Sequence, residues 1–507
     1  MRTLPLPLLL LLPAIVTAQS APRLGTVSFP TSVSQPAAQQ EFEQGVLWMH
    51  SFEYEHAAES FRRAQQAAPD FVMAYWGEAM THNHPIWNER DADAARAVLA
   101  RLAPSPEARA AKARTARERA WLQAAEVLWG EGPKPLRDTL YLQAMEQVAR
   151  DHPDDETAAF LSLAHMGLSQ GVRDIPSYMR AGKIALDLFT RSPDHPGAAH
   201  YVIHAFDDPD HAILALDAAR AYSRIAPDAG HAQHMTTHIF LALGMWDEVS
   251  RQNVVAMQAA RGNSDSLEWT SGHYTWWLHY SRAQQGKWAD ARRWLARQDE
   301  LLPADATPAR RNNLQQRHNE LRLNTGDFTS AISPNTASAT DATTLLVRGI
   351  AAWRGHDRVA LARETAALRA LRSSDPDDVT LRLLTPQLEA LLHGANGHED
   401  SALAVLSEAV ALEASLPMDF GPPAILRPAH EALAEGLLVA GRFAEAQAAY
   451  HRALARTPGR SRSLAGLAQA ASAAGDSADA ERAMKQLRAN FHAADPGALE
   501  ALLKSVP

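Results

Sequence analysis

Apolar residues along the 507-residue chain recur every three to four positions in helix-length runs, and the runs come in pairs. A turn glycine or a closing proline marks the pairs. No stretch alternates convincingly at period two, so the pattern predicts helices and almost no strand. In "FEQGVLWMHSFEYEHAAESFRRAQQAAPD", Gly45, Trp48, Ala57, Phe61, Ala64 and Pro69 mark one pair. The same intervals return near the far end at Ala434, Gly441, Ala446, Tyr450, Ala453 and Pro458, followed directly by a copy with Gly475, Ala480 and Met484. Small residues let paired helices approach, larger ones fill the gap, the glycine turns the chain and the proline stops the second helix.

This 34-residue pattern resembles the tetratricopeptide repeat. Weaker copies begin near residues 72, 196, 230, 272, 341 and 383, with turn glycines such as Gly244, Gly286 and Gly355. The resemblance implies an all-α, right-handed α-solenoid of roughly ten helix-turn-helix repeats in two sub-arrays. The expected organisation is a leader over 1–18, a linker over 19–37, a histidine-bearing array over 38–328, a linker over 329–340 and a second array over 341–507. Residues 109–180 are too irregular to carry the register across. The second array shows regular spacing without a polar cluster, which predicts partner docking or structural extension.

The register assigns the histidines. Counting from Pro196, His200 and His204 take positions 5 and 9; counting from Gly230, His231, His234 and His238 take 2, 5 and 9; counting from Gly272, His273 takes 2. At 100° per residue, positions 2, 5, 9, 12 and 13 form one stripe along the first helix of each repeat. In tetratricopeptide proteins that stripe lines the concave groove. Histidine is 22 of 507 residues, so the fifteen stripe positions of these three repeats would carry fewer than one by composition; they carry six. The same register puts His50 and His84 at position 13 of the first two repeats, and Asp207 and Asp208 at 12 and 13 beside His204.

Histidines on neighbouring helices about 10 Å apart are able to meet at one point between them. A triad drawn from His200, His204, His231, His234 and His238, completed by a carboxylate or water, suits zinc, copper, nickel or iron. His50, His84, Asp207, Asp208 and His273 are the further groove residues. Met235 would favour copper(I) if it turned inward, but a lone methionine beside a helix stripe is more often packing. His152, His165, His195, His318, His356, His393, His398 and His451 read as ordinary surface or core residues. Two rival readings stand beside the metal. The histidines contact a protein or peptide directly, in a metal-free scaffold; or the metal is catalytic, oxygen-activating or hydrolytic, with Asp207, Asp208 or Glu78 as ligand or base.

Enzyme signatures narrow the field. His200 and His204 enclose Tyr-Val-Ile, with no glutamate for a zincin, and there is no nucleophile elbow, phosphate loop or dinucleotide fingerprint. A net charge of -9 with no basic stripe disfavours nucleic acid. The start, "MRTLPLPLLLLLPAIVTAQS", has a basic Arg2, an apolar run to Val16, and Val16 and Ala18 at the cleavage places of a secretory leader. With no cysteine in the chain, a lipid anchor, disulfides and thiolate ligands are excluded. A periplasmic or secreted chain without a membrane anchor is expected. More narrowly, "HYVIHAFDDP" and "GHAQHMTTHIF", with "MAYWGEAM" and "GPPAILRPAHEAL", resemble a group of exported bacterial tetratricopeptide proteins. That likeness implies the fold and a special groove, without a reaction.

Overall fold

The computed structural model describes residues 21–169, 172–260, 272–328, 341–418 and 420–507. The expected leader and the linker over 329–340 lie outside the described residues, apart from the leader's neighbours from 21 onward. Among the described residues the chain forms 25 α-helices, two short 3-10 turns and one hairpin of two-residue strands, Asn83–His84 with Glu89–Arg90. Nearly all helices adjacent in sequence pack against each other, which makes the architecture an all-α solenoid. Helices open at Val72, Pro196, Gly230, Gly272 and Ala342, where the repeat spacing sets them.

Small residues do what the repeat requires. Phe61, on the Tyr54–Ala67 helix, drives its ring between Gly45 and Gly77 of the flanking helices, and neither position has room for a Cβ. The irregular stretch is also helical: Ala116–Leu128 packs on Lys134–Asp151, and Asp155–Met166 on Ile175–Arg191. Residues 21–35, expected as a linker, run extended and are tied to the array. Phe29 is fully buried against Phe42, Trp76 and Trp121, and Arg23 pairs with Asp228.

The repeat pattern alone does not say how the two arrays meet, and the structure shows the second closing back onto the last helices of the first. The Pro308–Thr325 helix packs on Ser461–Ala474 and Ala498–Ser505, and Trp246 donates its indole N–H to the Gly459 carbonyl at 3.0 Å. Arg460 sits at this seam with no solvent access, paired with Glu431 at 2.7 Å and donating to Asn324 Oδ1 at 2.8 Å. The second array therefore does hold a polar cluster, contrary to the sequence reading: beside that pair, Arg427 and Arg462 flank buried Glu435. These charges come from three different helices and loops, so no single-helix pattern displays them.

Candidate metal centre

The six stripe histidines come together as two triads rather than one. In each, one ring nitrogen per residue lies within 4.8 Å of the other two: His200, His204 and His231 in the first, His234, His238 and His273 in the second. The Pro196–Ala205 helix supplies two members of the first triad, the Gly230–Ala242 helix one member of the first and two of the second, and the Gly272–Gln284 helix the last.

Hydrogen bonds behind the rings decide which nitrogens are free. Asn253 donates its amide to the Val249 carbonyl, which turns its Oδ1 toward His234 at 2.8 Å; the His234 Nδ1 must therefore carry the proton and donate it. His238 Nδ1 likewise donates to Asp207 Oδ2 at 2.6 Å. Both Nε2 atoms then present bare lone pairs, and these face each other at 3.1 Å. Two acceptors cannot bond to one another, so the pair needs either a proton or a cation between them. On an ion with metal–nitrogen bonds of about 2.0–2.1 Å, this spacing subtends about 100°, between octahedral and tetrahedral values.

The first triad shows the same logic. His200 Nδ1 donates to the His50 carbonyl at 2.7 Å, one of the last-turn carbonyls that the Pro36–His50 helix leaves unpaired. That leaves His200 Nε2 bare, and the Nε2 atoms of His200, His204 and His231 are all buried with no hydrogen-bond partner among the described residues. Such groups cost on the order of 1–3 kcal/mol each unless something ligates them. Burial holds His204, His231 and His234 well below the ordinary imidazole value and His200 down to about 3, so the rings are neutral and available as ligands at pH 7.

Phe52 is the packing centre of the first triad, with its ring 4.3, 5.5 and 5.7 Å from those of His200, His204 and His231. Its backbone is left-handed, φ 54°, at the place where a helix ending of this type usually has glycine. Phe52 N–H bonds to Met49 and Glu53 N–H reaches back to Trp48, completing that ending. The side chain at this position supports a site at the expense of backbone ease. Trp87, on the 83–90 hairpin, closes over His231 at 5.9 Å. Over the second triad lie Trp277 and, from the second array, Phe420, 5.7 Å from His238.

Comparison with known proteins bears on the scaffold. Residues 437–503 match the family model of the tetratricopeptide repeat. Over those residues the chain carries tetratricopeptide repeats. No curated protein matches it. Similar solved structures include the crystal structure of the APC/C hetero-tetramer Cut9–Hcn1, at 9% identity over 93% of this chain and 76% of that one, TM-score 0.33. The P58(IPK) TPR domain is 13% identical over 89% of this chain and 98% of that one, TM-score 0.24. The human IFIT1 dimer with PPP-AAAA is 11% identical over 90% and 91%, TM-score 0.31.

The helical array places the other expected groove residues away from the triads. His50 is fully buried beneath them. Its Nε2 donates to Glu156 at 2.8 Å and its Nδ1 accepts from the Tyr201 hydroxyl at 2.9 Å. His195, expected as background, joins this group: its Nδ1 caps Ala198 N–H, so Nε2 donates to Glu156 at 3.2 Å. Burial alone would raise Glu156, but the two imidazoles outweigh it and hold the carboxyl at about 2. Every nitrogen here is satisfied, and the group ties helices together. His84 stacks on Tyr54 at 4.1 Å and donates to the Thr81 carbonyl, outside both triads because the hairpin carries it sideways. Asp208 is consumed by Arg173, His211 and the backbone of its own turn. Glu78 is held by Arg62, Arg101 and Gln65 in the first repeats and takes no part. Met235 is core packing and His279 lies inside its helix pair. No helix among the described residues is long and apolar enough to cross a membrane.

Proposed function

We propose that this chain is an exported tetratricopeptide scaffold whose groove binds a transition metal through its central histidines and there recognises a peptide, protein or small ligand. One observation carries the metal: two imidazole Nε2 atoms, each with its other nitrogen committed as a donor, face each other at 3.1 Å in a buried site. The outer partners, Asp207 and Asn253, are the kind that orient metal-binding imidazoles. Burial also weighs against direct contact with a macromolecule, since His200, His204, His234 and His238 are at most 6% exposed. Tetratricopeptide arrays offer extended concave surfaces to proteins and peptides, and the partner belongs there. The leader-like residues 1–18 support export.

Metal binding to the native state alone adds about 2.7 kcal/mol at a hundredfold excess over the dissociation constant. Adding zinc to metal-free protein is therefore expected to raise the thermal midpoint, and a His204→Ala/His234→Ala variant is expected to lose that rise. An unchanged midpoint with zinc, copper and iron alike would remove the metal from the account.

A further inference from the structure

The site is repeated along with the helices. His200 and His204 hold positions 5 and 9 of one repeat and His231 position 2 of the next; His234 and His238 hold 5 and 9 of that repeat and His273 position 2 of the one after. The second triad is the first advanced by one helical hairpin. We infer that the groove binds two transition-metal ions side by side, one in each triad. This rests on reading the groove as a metal site, and goes beyond it in number and arrangement.

The nitrogens require both. The His234–His238 pair has a facing geometry of its own, yet the Nε2 atoms of His200, His204 and His231 remain buried with no hydrogen-bond partner among the described residues. Each triad brings one nitrogen per residue within 4.8 Å of the other two, and among the described residues no such group mixes members of both. Asp207, just past the helix that carries His200 and His204, backs the second triad. It follows His204 by three residues, binds His238 through Oδ2, and keeps Oδ1 buried with no hydrogen-bond partner. A carboxylate beside the second triad lowers the cost of holding a cation there among imidazoles. The two sites differ in their support: a carboxylate backs His238, whereas a peptide carbonyl backs His200. A carboxylate makes the imidazole the stronger donor, so the second triad fills first.

The test is zinc titration of the metal-free full-length protein against a chromophoric chelator. Two equivalents are expected for the parent. His204→Ala and, as a milder variant of the half-buried member, His231→Gln should each retain one equivalent; His234→Ala and His273→Gln should retain the other. Asp207→Asn should weaken the tighter equivalent roughly 10–100-fold. A parent that binds one equivalent, lost in variants of either triad, would overturn the pair while leaving the metal site standing. Two equivalents untouched by any of the four variants would place the ions elsewhere and overturn it as well. No binding by the parent would remove both this inference and the reading beneath it.

Discussion

Metal-free protein is expected to lose about 5 kcal/mol of stability when the pH is lowered from 7.5 to 5.5. The cause is four buried imidazoles. Burial holds His200 and His279 down to about 3 and His204 and His234 well below their ordinary value, whereas in the unfolded chain each titrates near 6.5. Between those values the unfolded chain binds protons that the folded chain excludes, so acid favours unfolding. The stability these rings contribute is fully present well above pH 6.5 and is lost as the pH falls through it, by about 0.4 kcal/mol per ring from pH 7.5 to 6.5 and about 1 kcal/mol per ring from 6.5 to 5.5. Folded proteins as a rule hold only about 5–15 kcal/mol in reserve, so the effect is near the size of the whole. Urea denaturation followed by circular dichroism at pH 7.5, 6.5 and 5.5 measures it. The midpoint should fall slightly between the first two and sharply at the third. A midpoint independent of pH over that range would mean the rings are hydrated.

The seam between the two arrays gives the second large effect. Arg460 and Glu431 are both without solvent access, and Arg460 also donates to Asn324, Tyr280 and the Leu426 carbonyl. In Arg460→Ala the Glu431 carboxylate stays buried, left among the described residues with the Ser463 hydroxyl as its hydrogen bond and with only the more distant Arg462 charge. Leaving such a charge uncompensated costs about 3–5 kcal/mol. Removing both charges in Arg460→Met/Glu431→Leu should restore most of the loss, because the pair's attraction is offset by its own desolvation. The same denaturation curves decide it. A loss below about 1 kcal/mol in the single variant would show that water reaches the seam.

The sequence displays what is periodic. Repeat starts at Pro196, Gly230 and Gly272 and the histidine stripe follow from spacing, since a helix face is a sequence property. The division into two triads does not, because it depends on how position 2 of one repeat meets positions 5 and 9 of the repeat before. Glu156 and His195 escaped notice for a related reason: Glu156 lies where the register fails, and His195 is the residue before a helix rather than on its face. Phe52 carries no signal, as a left-handed helix ending is normally read from glycine. His50 and His84 share a register position yet separate, one into a buried hydrogen-bonded group and one onto a hairpin that interrupts the repeat. Closure of the array through Arg460 joins residues more than a hundred positions apart, beyond any local pattern.

Elemental analysis by plasma mass spectrometry tests most directly whether the histidine groove holds a transition metal. The measurement is made on untagged protein, with the His204→Ala/His234→Ala variant alongside. Near-stoichiometric metal in the parent and its loss in the variant is the predicted result, and it names the element. No metal in either protein, after reconstitution with zinc, copper and iron, would contradict the claim.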